Sequence, residues 1–364
     1  MKPFRLLILT PSALPTVTGN AMTAERWRRS LVGMGLDVRV LNTEALDAVG
    51  LKREIDRFKP DLLHVHNVYR AGGLLLHPAL ADCRGRLPIV VSPSGTDMNI
   101  ESKADVGKER VSRVLSRAEA VIVQSEEGRE RLQEIVPGRM DRVYFVPKSF
   151  VWLGEEASDL RASCGFSSGD VVFFMPAGIR PVKGNLECLL GFECVHALRA
   201  QAKVIFAGAP LDEVYAERFF REAERLRVFA RWIPPIHPAA MRAAYGSVDV
   251  ILNGSASEGL SNVLIEGRAA GKPLLASDIP GNRWPILGDP GEPPMGLLFD
   301  PSDRADFIEK ALRLIDAATL RRELGEAGAA YARRMPGPCD EARALIAVYR
   351  AAMGGRGFAA VTSG

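Results

Sequence analysis

Short apolar runs at residues 4–10, 36–41, 61–67, 89–91, 120–125 and 143–147 alternate with longer amphipathic stretches, and a second series follows at 171–175, 202–208, 228–233, 248–252 and 296–301. Runs this short and continuous, separated by helix-length segments, predict strands buried on both faces of parallel sheets and joined by right-handed crossovers. The periodicity lapses at 148–159, so the pattern divides the chain into a first α/β domain over 1–150 and a second over 151–336. Both are expected to be Rossmann-like, with doubly wound parallel sheets. An amphipathic helix is predicted at 304–317 and a terminal helix at 341–353, within a C-terminal segment spanning 337–356. The tail from Gly354 reads as disordered.

Several of the predicted strands run directly into small polar, glycine-containing loops, and open α/β sheets bind ligands at those carboxyl ends. The fullest case is 253–283, NGSASEGLSNVLIEGRAAGKPLLASDIPGNR. Ser261 is placed to cap a short helix at 262–270, Gly271 suits its C′ position and Pro273 bars continuation. The amides of Gly259, Leu260, Ser261 and Asn262 at that helix N-terminus suit a phosphate. Glu258 and Glu266, with seven residues between them, would repel an anion and suit hydroxyl groups instead. Alone, such a pair would be a cap and a solvated side chain. Beside phosphate donors, it points to a ligand carrying both phosphate and sugar hydroxyls, a nucleotide sugar. The segment 277–283 is expected to be a second loop.

Other strand ends carry related chemistry. Arg180 and Lys183, beside Gly184 on the loop after 171–175, can both reach a diphosphate, arginine as a two-pronged fork and lysine as a point charge. In the first half, a long loop over 11–20 precedes a helix starting near Thr23, and Gly19 with Asn20 stands at its helix-proximal end, where backbone amides can approach an anion. His64 and His66 are two apart on a strand and so share one face, with His66 at the carboxyl end.

The segment EGLSNVLIE followed by AAGKP resembles the E-x7-E signature of retaining glycosyltransferases of the large group 1 (family 4-like) family. GIRPVKG resembles that family's G-R-x-x-x-K-G, and DLLHVHN its DLVHxH segment. The resemblance implies the GT-B fold, in which an acceptor-side and a donor-side Rossmann-like domain face a deep cleft and the C-terminal helix crosses back to the first domain. It implies a nucleotide-diphosphate sugar donor, with Arg180, Lys183 and the helix N-terminus on the diphosphate, Glu266 on the ribose and Glu258 on hydroxyls of the transferred sugar. Gly19 and Asn20 would face the diphosphate across the cleft, and His66 becomes a residue of that cleft. Trp232 and Ile233 would lie near the nucleobase, although Arg231 stands where the family has glycine. Ser94 replaces the histidine that family members commonly place before Gly-Thr-Asp. With the loop SDIPGN, this replacement resembles the subgroup of glycosyltransferase 1 domain-containing proteins.

Composition narrows the picture further. Among 364 residues, 47 basic and 44 acidic side chains leave a net charge of only +3, which implies no nucleic-acid partner. The stripe Arg26-Trp27-Arg28-Arg29 reads as a solvated helix face, with peripheral contact to a membrane surface as the alternative. Five cysteines without C-x-x-C spacing suggest neither a disulfide framework nor a zinc site. No signal peptide or membrane span is apparent, which places the chain in the cytoplasm, at most peripheral to the inner membrane face. No cofactor is expected: no Asp-rich magnesium motif is visible, and the two cations supply the countercharge.

Two other α/β functions fail on spacing. The run 267–273 is too short for a P-loop and has Pro273 where a magnesium-binding Ser or Thr belongs, and no G-x-G-x-x-G follows the first strand. The sequence therefore reads as a retaining, metal-independent glycosyltransferase. Its rival is a catalytically silent nucleotide-sugar-binding or scaffold protein, permitted by the absent histidine. The motifs leave the acceptor, whether glycan, lipid or small molecule, and the oligomeric state open.

Overall fold

A computed structural model describes residues 3–95, 97–101 and 105–354; Thr96 and the tail beyond Gly354 lie outside the described residues. The chain forms two compact units, one running to Val151 and resuming at Pro336, the other Trp152–Met335.

The first unit is built on six parallel strands, β1 (Arg5–Thr10), β2 (Asp37–Asn42), β3 (Leu62–His66), β4 (Ile89–Ser92), β5 (Ala120–Val123) and β6 (Val143–Phe145), in the order β2-β1-β3-β4-β5-β6. The two-residue period of a strand sends successive side chains into different cores. Leu7, Leu9, Leu63 and Val65 pack on one face; Leu6, Ile8 and Leu62 pack on the other with Trp27 and Tyr349. This double burial is what makes the strand sequences continuously apolar.

The helix after β1 spans Gly19–Gly33 and so begins four residues earlier than its sequence suggests. Thr18 is the cause: its hydroxyl accepts the Ala21 amide at 3.2 Å, which draws Gly19 and Asn20 into the first turn. The stripe at 26–29 is not one solvated face either. Arg26 and Trp27 are 6% and 1% exposed, while Arg28 and Arg29 turn outward onto Glu25. What buries Arg26 is the terminal helix Pro338–Ala352, which lays Leu345, Ile346 and Tyr349 on the apolar face around Trp27. In its first turn, Glu341 accepts Arg26 Nε at 2.9 Å and Nη2 at 3.1 Å, Trp27 Nε1 at 2.8 Å and Gln124 Nε2 at 3.0 Å, with the Ser149 hydroxyl as a further donor.

The second unit repeats the plan with β7 (Val171–Pro176), β8 (Ala202–Ala207), β9 (Ala230–Ile233), β10 (Val250–Asn253), β11 (Leu274–Ser277) and β12 (Gly296–Phe299), all parallel, in the order β12-β11-β10-β7-β8-β9. Segment 277–283 is only briefly a loop. Pro280 begins the helix Pro280–Leu287, a position where proline's missing N–H costs nothing. The long helix Ala318–Arg334 was not apparent from the pattern, because Gly325 and Gly328 interrupt its apolar stripe. Those glycines lie on its buried face, and it packs on the helix Asn262–Ala269. There the Arg268 guanidinium sits 4.8 Å from the Trp284 ring and 4.6 Å from the Tyr331 ring, replacing water with two aromatic faces. Among the described residues, no helix is long and apolar enough to cross a membrane.

The Glu341 cluster yields a stability prediction. Burial opposes its charge, but Arg26, Ser149 and Trp27 hold the carboxyl below its usual range. A depressed carboxyl contributes stability above its unfolded value of about 4.3, and that contribution is lost as pH falls through the folded value. Glu341→Gln leaves Arg26 buried without a counter-charge and should cost about 3–5 kcal/mol in urea denaturation of the intact chain at neutral pH. Its stability should also fall less steeply than the wild type's below pH about 4.3.

Candidate active site

Three loops meet at the carboxyl edge of the second sheet, those after β7, β10 and β11, because these strands are neighbours. Their contacts are close. Gly184 (φ +67°) lies so near the next loop that a Cβ on it would come within 2.3 Å of the Gly254 carbonyl oxygen. The Ala256 amide donates to the Val182 carbonyl at 2.9 Å, and the Ser277 hydroxyl donates to the Ser255 carbonyl at 2.6 Å. Gly281, in the first turn of Pro280–Leu287, presses on the backbone of Glu258: a Cβ there would sit 2.4 Å from its carbonyl oxygen. Only glycine allows either approach.

This frame holds the proposed site residues. Ser261 caps the helix Asn262–Ala269 through its hydroxyl, which also accepts Asn253 Nδ2 at 2.8 Å. Gly259, Leu260 and Asn262 lie half-buried beside it. The Asn253 side-chain oxygen accepts the Ser255 amide at 2.9 Å, so one buried amide group spans the strand end, the loop and the cap. Lys183, in the turn Pro181–Lys183, donates to Glu258 Oε1 at 2.6 Å, where Ser255 Oγ also donates at 2.7 Å and Asn253 Nδ2 at 3.4 Å. Sequence reasoning assigned Lys183 and Glu258 to different parts of a ligand; the fold joins them in one ion pair. Burial disfavours the Glu258 charge, but Lys183, Ser255 and Asn253 hold the carboxyl below its usual range.

Arg180 precedes the same turn, its amide donating to Asn185 Oδ1 at 3.3 Å. Glu266 lies four residues into its helix, and one of its oxygens accepts the Tyr245 hydroxyl at 2.8 Å. Nothing in the sequence marks Tyr245, which comes from the helix Met241–Gly246. Among the described residues, Asn185 Nδ2, Ser257 Oγ and Asn282 Oδ1, in these loops and the first turns of the helices they lead into, are buried polar atoms that no protein group satisfies. Most buried polar atoms are paired, so this edge carries hydrogen-bonding capacity beyond what the chain consumes.

Trp232 and Ile233, which the resemblance puts near a nucleobase, both lie on β9. As neighbours on β9 they face opposite sides. Trp232 donates from Nε1 to the Gly208 carbonyl at 3.0 Å and packs edge-on against Phe220, while Ile233 joins the other core. Arg231 folds back over the Phe166 ring, 5.2 Å from its centre, with Nη1 on the Ala230 carbonyl at 2.9 Å.

The remaining candidates belong to the first unit. Gly19 is exposed and Asn20 half-buried at a helix N-terminus. His64 is wholly buried between Ser92 Oγ at 2.7 Å and the Tyr349 hydroxyl at 2.8 Å. His66 is 5% exposed, and its ring meets that of Trp27 edge-on at 5.0 Å. Burial, with Lys148 and Arg26 close by, pushes its pKa down to about 3, so the imidazole is neutral at physiological pH. Ser94, at the position of the family histidine, accepts Asn67 Nδ2 at 2.8 Å, while buried Asp97 accepts the amides of Val68, Ser94, Gly95 and Met98 at 2.7–3.1 Å.

Comparison with known proteins places both units. Residues 16–148 match the family description "Glycosyl transferase 4-like domain", and residues 171–317 match "Glycosyl transferases group 1". The chain is 24% identical over 324 residues to glycosyltransferase 1 domain-containing protein 1 of Xenopus tropicalis, covering 87% of this chain and 90% of that one. Several other curated glycosyltransferases are matched over only about half of their own length. Among solved structures, sucrose-phosphate synthase from Thermosynechococcus elongatus aligns with a TM-score of 0.79 at 16% identity, covering 96% of this chain and 99% of that one. HepE from Anabaena in complex with UDP-glucose aligns with a TM-score of 0.74 at 15% identity, over 95% and 99% of the two chains. The two parallel six-stranded sheets are those of the GT-B fold.

The ion pair can be tested without any ligand. Lys183→Met strands a largely buried carboxylate and should lower stability by about 1.5–3 kcal/mol. Adding Glu258→Gln removes the stranded charge, so the double variant should recover part of that loss. Additive losses in chemical denaturation would show that the two groups do not interact.

Proposed function

Because the chain belongs to the group 1 glycosyltransferases, we propose that it transfers a sugar from a nucleoside-diphosphate sugar to a hydroxyl-bearing acceptor, with retention at the anomeric carbon and without a metal ion. The observation that carries this reading is the Lys183–Glu258 pair, set where three strand-end loops converge beside the capped N-terminus of Asn262–Ala269. HepE, a structural neighbour, was solved with UDP-glucose, which supports a nucleotide-sugar donor here.

In this reading, Arg180, Lys183 and the amides around Ser261 offset the charge of the diphosphate. That charge grows as the bond between the anomeric carbon and the phosphate oxygen breaks, so cations and helix-end dipoles aimed there stabilise the transition state more than the ground state. Glu266 receives the ribose hydroxyls. Glu258, anchored through Oε1, positions both Lys183 and the transferred sugar. The acceptor oxygen bonds to the anomeric carbon on the face the diphosphate leaves, and the departing phosphate takes the acceptor's proton. No side-chain base is required, and a neutral His66 is consistent with that economy. With a pKa of about 3 it has little capacity to take a proton at neutral pH, but it serves as a hydrogen-bonding group.

Four measurements check this proposal. Nuclear magnetic resonance of the product, or of the hydrolysed sugar before mutarotation, should show the donor's anomeric configuration, and turnover should persist in excess chelator. Inversion, or loss of activity on chelation, overturns the corresponding part. Arg180→Ala should lower kcat/KM roughly ten- to hundredfold, the value of one charge-assisted hydrogen bond. Glu258→Gln should lower transfer yet tighten bare nucleoside diphosphate roughly three- to tenfold, since it removes a negative charge next to the lysine that meets the phosphates.

A further inference from the structure

Tyr245 is fully buried, its ring 5.5 Å from that of Phe174 and 5.6 Å from that of Trp152. For such a position phenylalanine would supply the same apolar contact without a hydroxyl to satisfy. The hydroxyl is satisfied in one well-formed way: it lies 2.8 Å from Glu266 Oε2, whereas the Val263 carbonyl at 3.4 Å is at the limit of hydrogen bonding. Glu266 itself is only half-buried. The contact therefore runs from the core of the second unit, across from Met241–Gly246, to a carboxylate at the site on Asn262–Ala269. Burial and the neighbouring Glu266 charge raise the phenol's pKa well above its usual value. It stays protonated throughout the working pH range and acts toward Glu266 only as a donor.

We propose that Tyr245 is a positioning residue for the donor site, holding the Glu266 carboxylate in the one orientation in which it receives the ribose hydroxyls. This rests on the assignment of Glu266 to the ribose. A glutamate has three rotatable side-chain bonds, and restricting them before the ligand arrives lowers the ordering cost of binding. Tyr245 touches no part of the substrate in this scheme and acts entirely through Glu266. A purely structural tyrosine would change stability without changing discrimination between ligands with and without ribose hydroxyls.

The test compares the diphosphates of adenosine, guanosine and uridine with their 2′,3′-dideoxy analogues by calorimetry, using the intact chain and whichever base binds tightest. The wild type should prefer the ribose form, and Glu266→Gln should largely abolish that preference. Tyr245→Phe should reduce it by roughly three- to tenfold, the value of one hydrogen bond. Combining Tyr245→Phe with Glu266→Gln should add nothing to the loss in Glu266→Gln alone. Should the phenylalanine variant not fold, 3-fluorotyrosine at 245 keeps the ring and makes the phenol a stronger donor. The preference should then change, and an unchanged preference counts against the proposal. If Glu266→Gln abolishes the preference while Tyr245→Phe leaves it intact, Tyr245 does not position Glu266. If no diphosphate binds, or Glu266→Gln leaves the preference unaltered, the ribose assignment itself falls.

Discussion

A lysine and a glutamate held largely away from water, Lys183 and Glu258, set the terms for the second unit's carboxyl edge. Removing two charges from water is costly, and their attraction recovers the cost only when the geometry is close and the remaining oxygen and nitrogen valences are met. Here the contact is 2.6 Å and the same carboxylate oxygen takes two further donors, Ser255 and Asn253. Each donor is fixed in turn: Asn253 by the cap serine and the Ser255 amide, the Ser255 backbone by Ser277, and the Lys183 turn by the Gly184 approach to Gly254. A break in this frame would leave a charge without its partner, so the three loops hold their positions together.

Both units gather polar side chains at the carboxyl edges of their sheets. In the first, Asp97 gathers four amides, His64 is bonded on both ring nitrogens and Glu341 receives five donors, while Thr10 Oγ1 and His66 Nδ1 at the ends of β1 and β3 are buried without a protein partner. In the second, Asn185, Ser257 and Asn282 keep buried polar atoms that no protein group satisfies. Buried polar atoms left unpaired at a strand's carboxyl end are suited to a polar ligand.

Support from behind matters as much as the loops. The helix that carries Glu266 is only eight residues long, too short to be stable alone. Its packing supplies the stability. Arg268 is clamped between the rings of Trp284 and Tyr331, from helices on either side, and Tyr245 reaches Glu266 from a third helix. The Glu266 carboxylate is thereby tied to the core of the second unit.

The periodicity of apolar runs by itself determined both parallel sheets and the strand ends at which polar loops appear, because strands buried on both faces must be continuously apolar. Local chemistry likewise determined the Ser261 cap and the Gly271 stop, both decided by neighbours within four residues. Three features were decided only by tertiary structure, each through partners distant in the chain. Lys183 and Glu258 became one ion pair because β7 and β10 are adjacent in the sheet, which no local spacing records. Arg26 became a buried cation because Glu341, 315 residues later, folds onto it. Tyr245, an unremarked residue in a short helix, came to meet the Glu266 carboxylate because the helix before β10 brings its hydroxyl within 2.8 Å of a side chain on the helix after it. A sequence states which residues want burial or charge; the pairing of those wants across the sheet is settled only when the strands take their order.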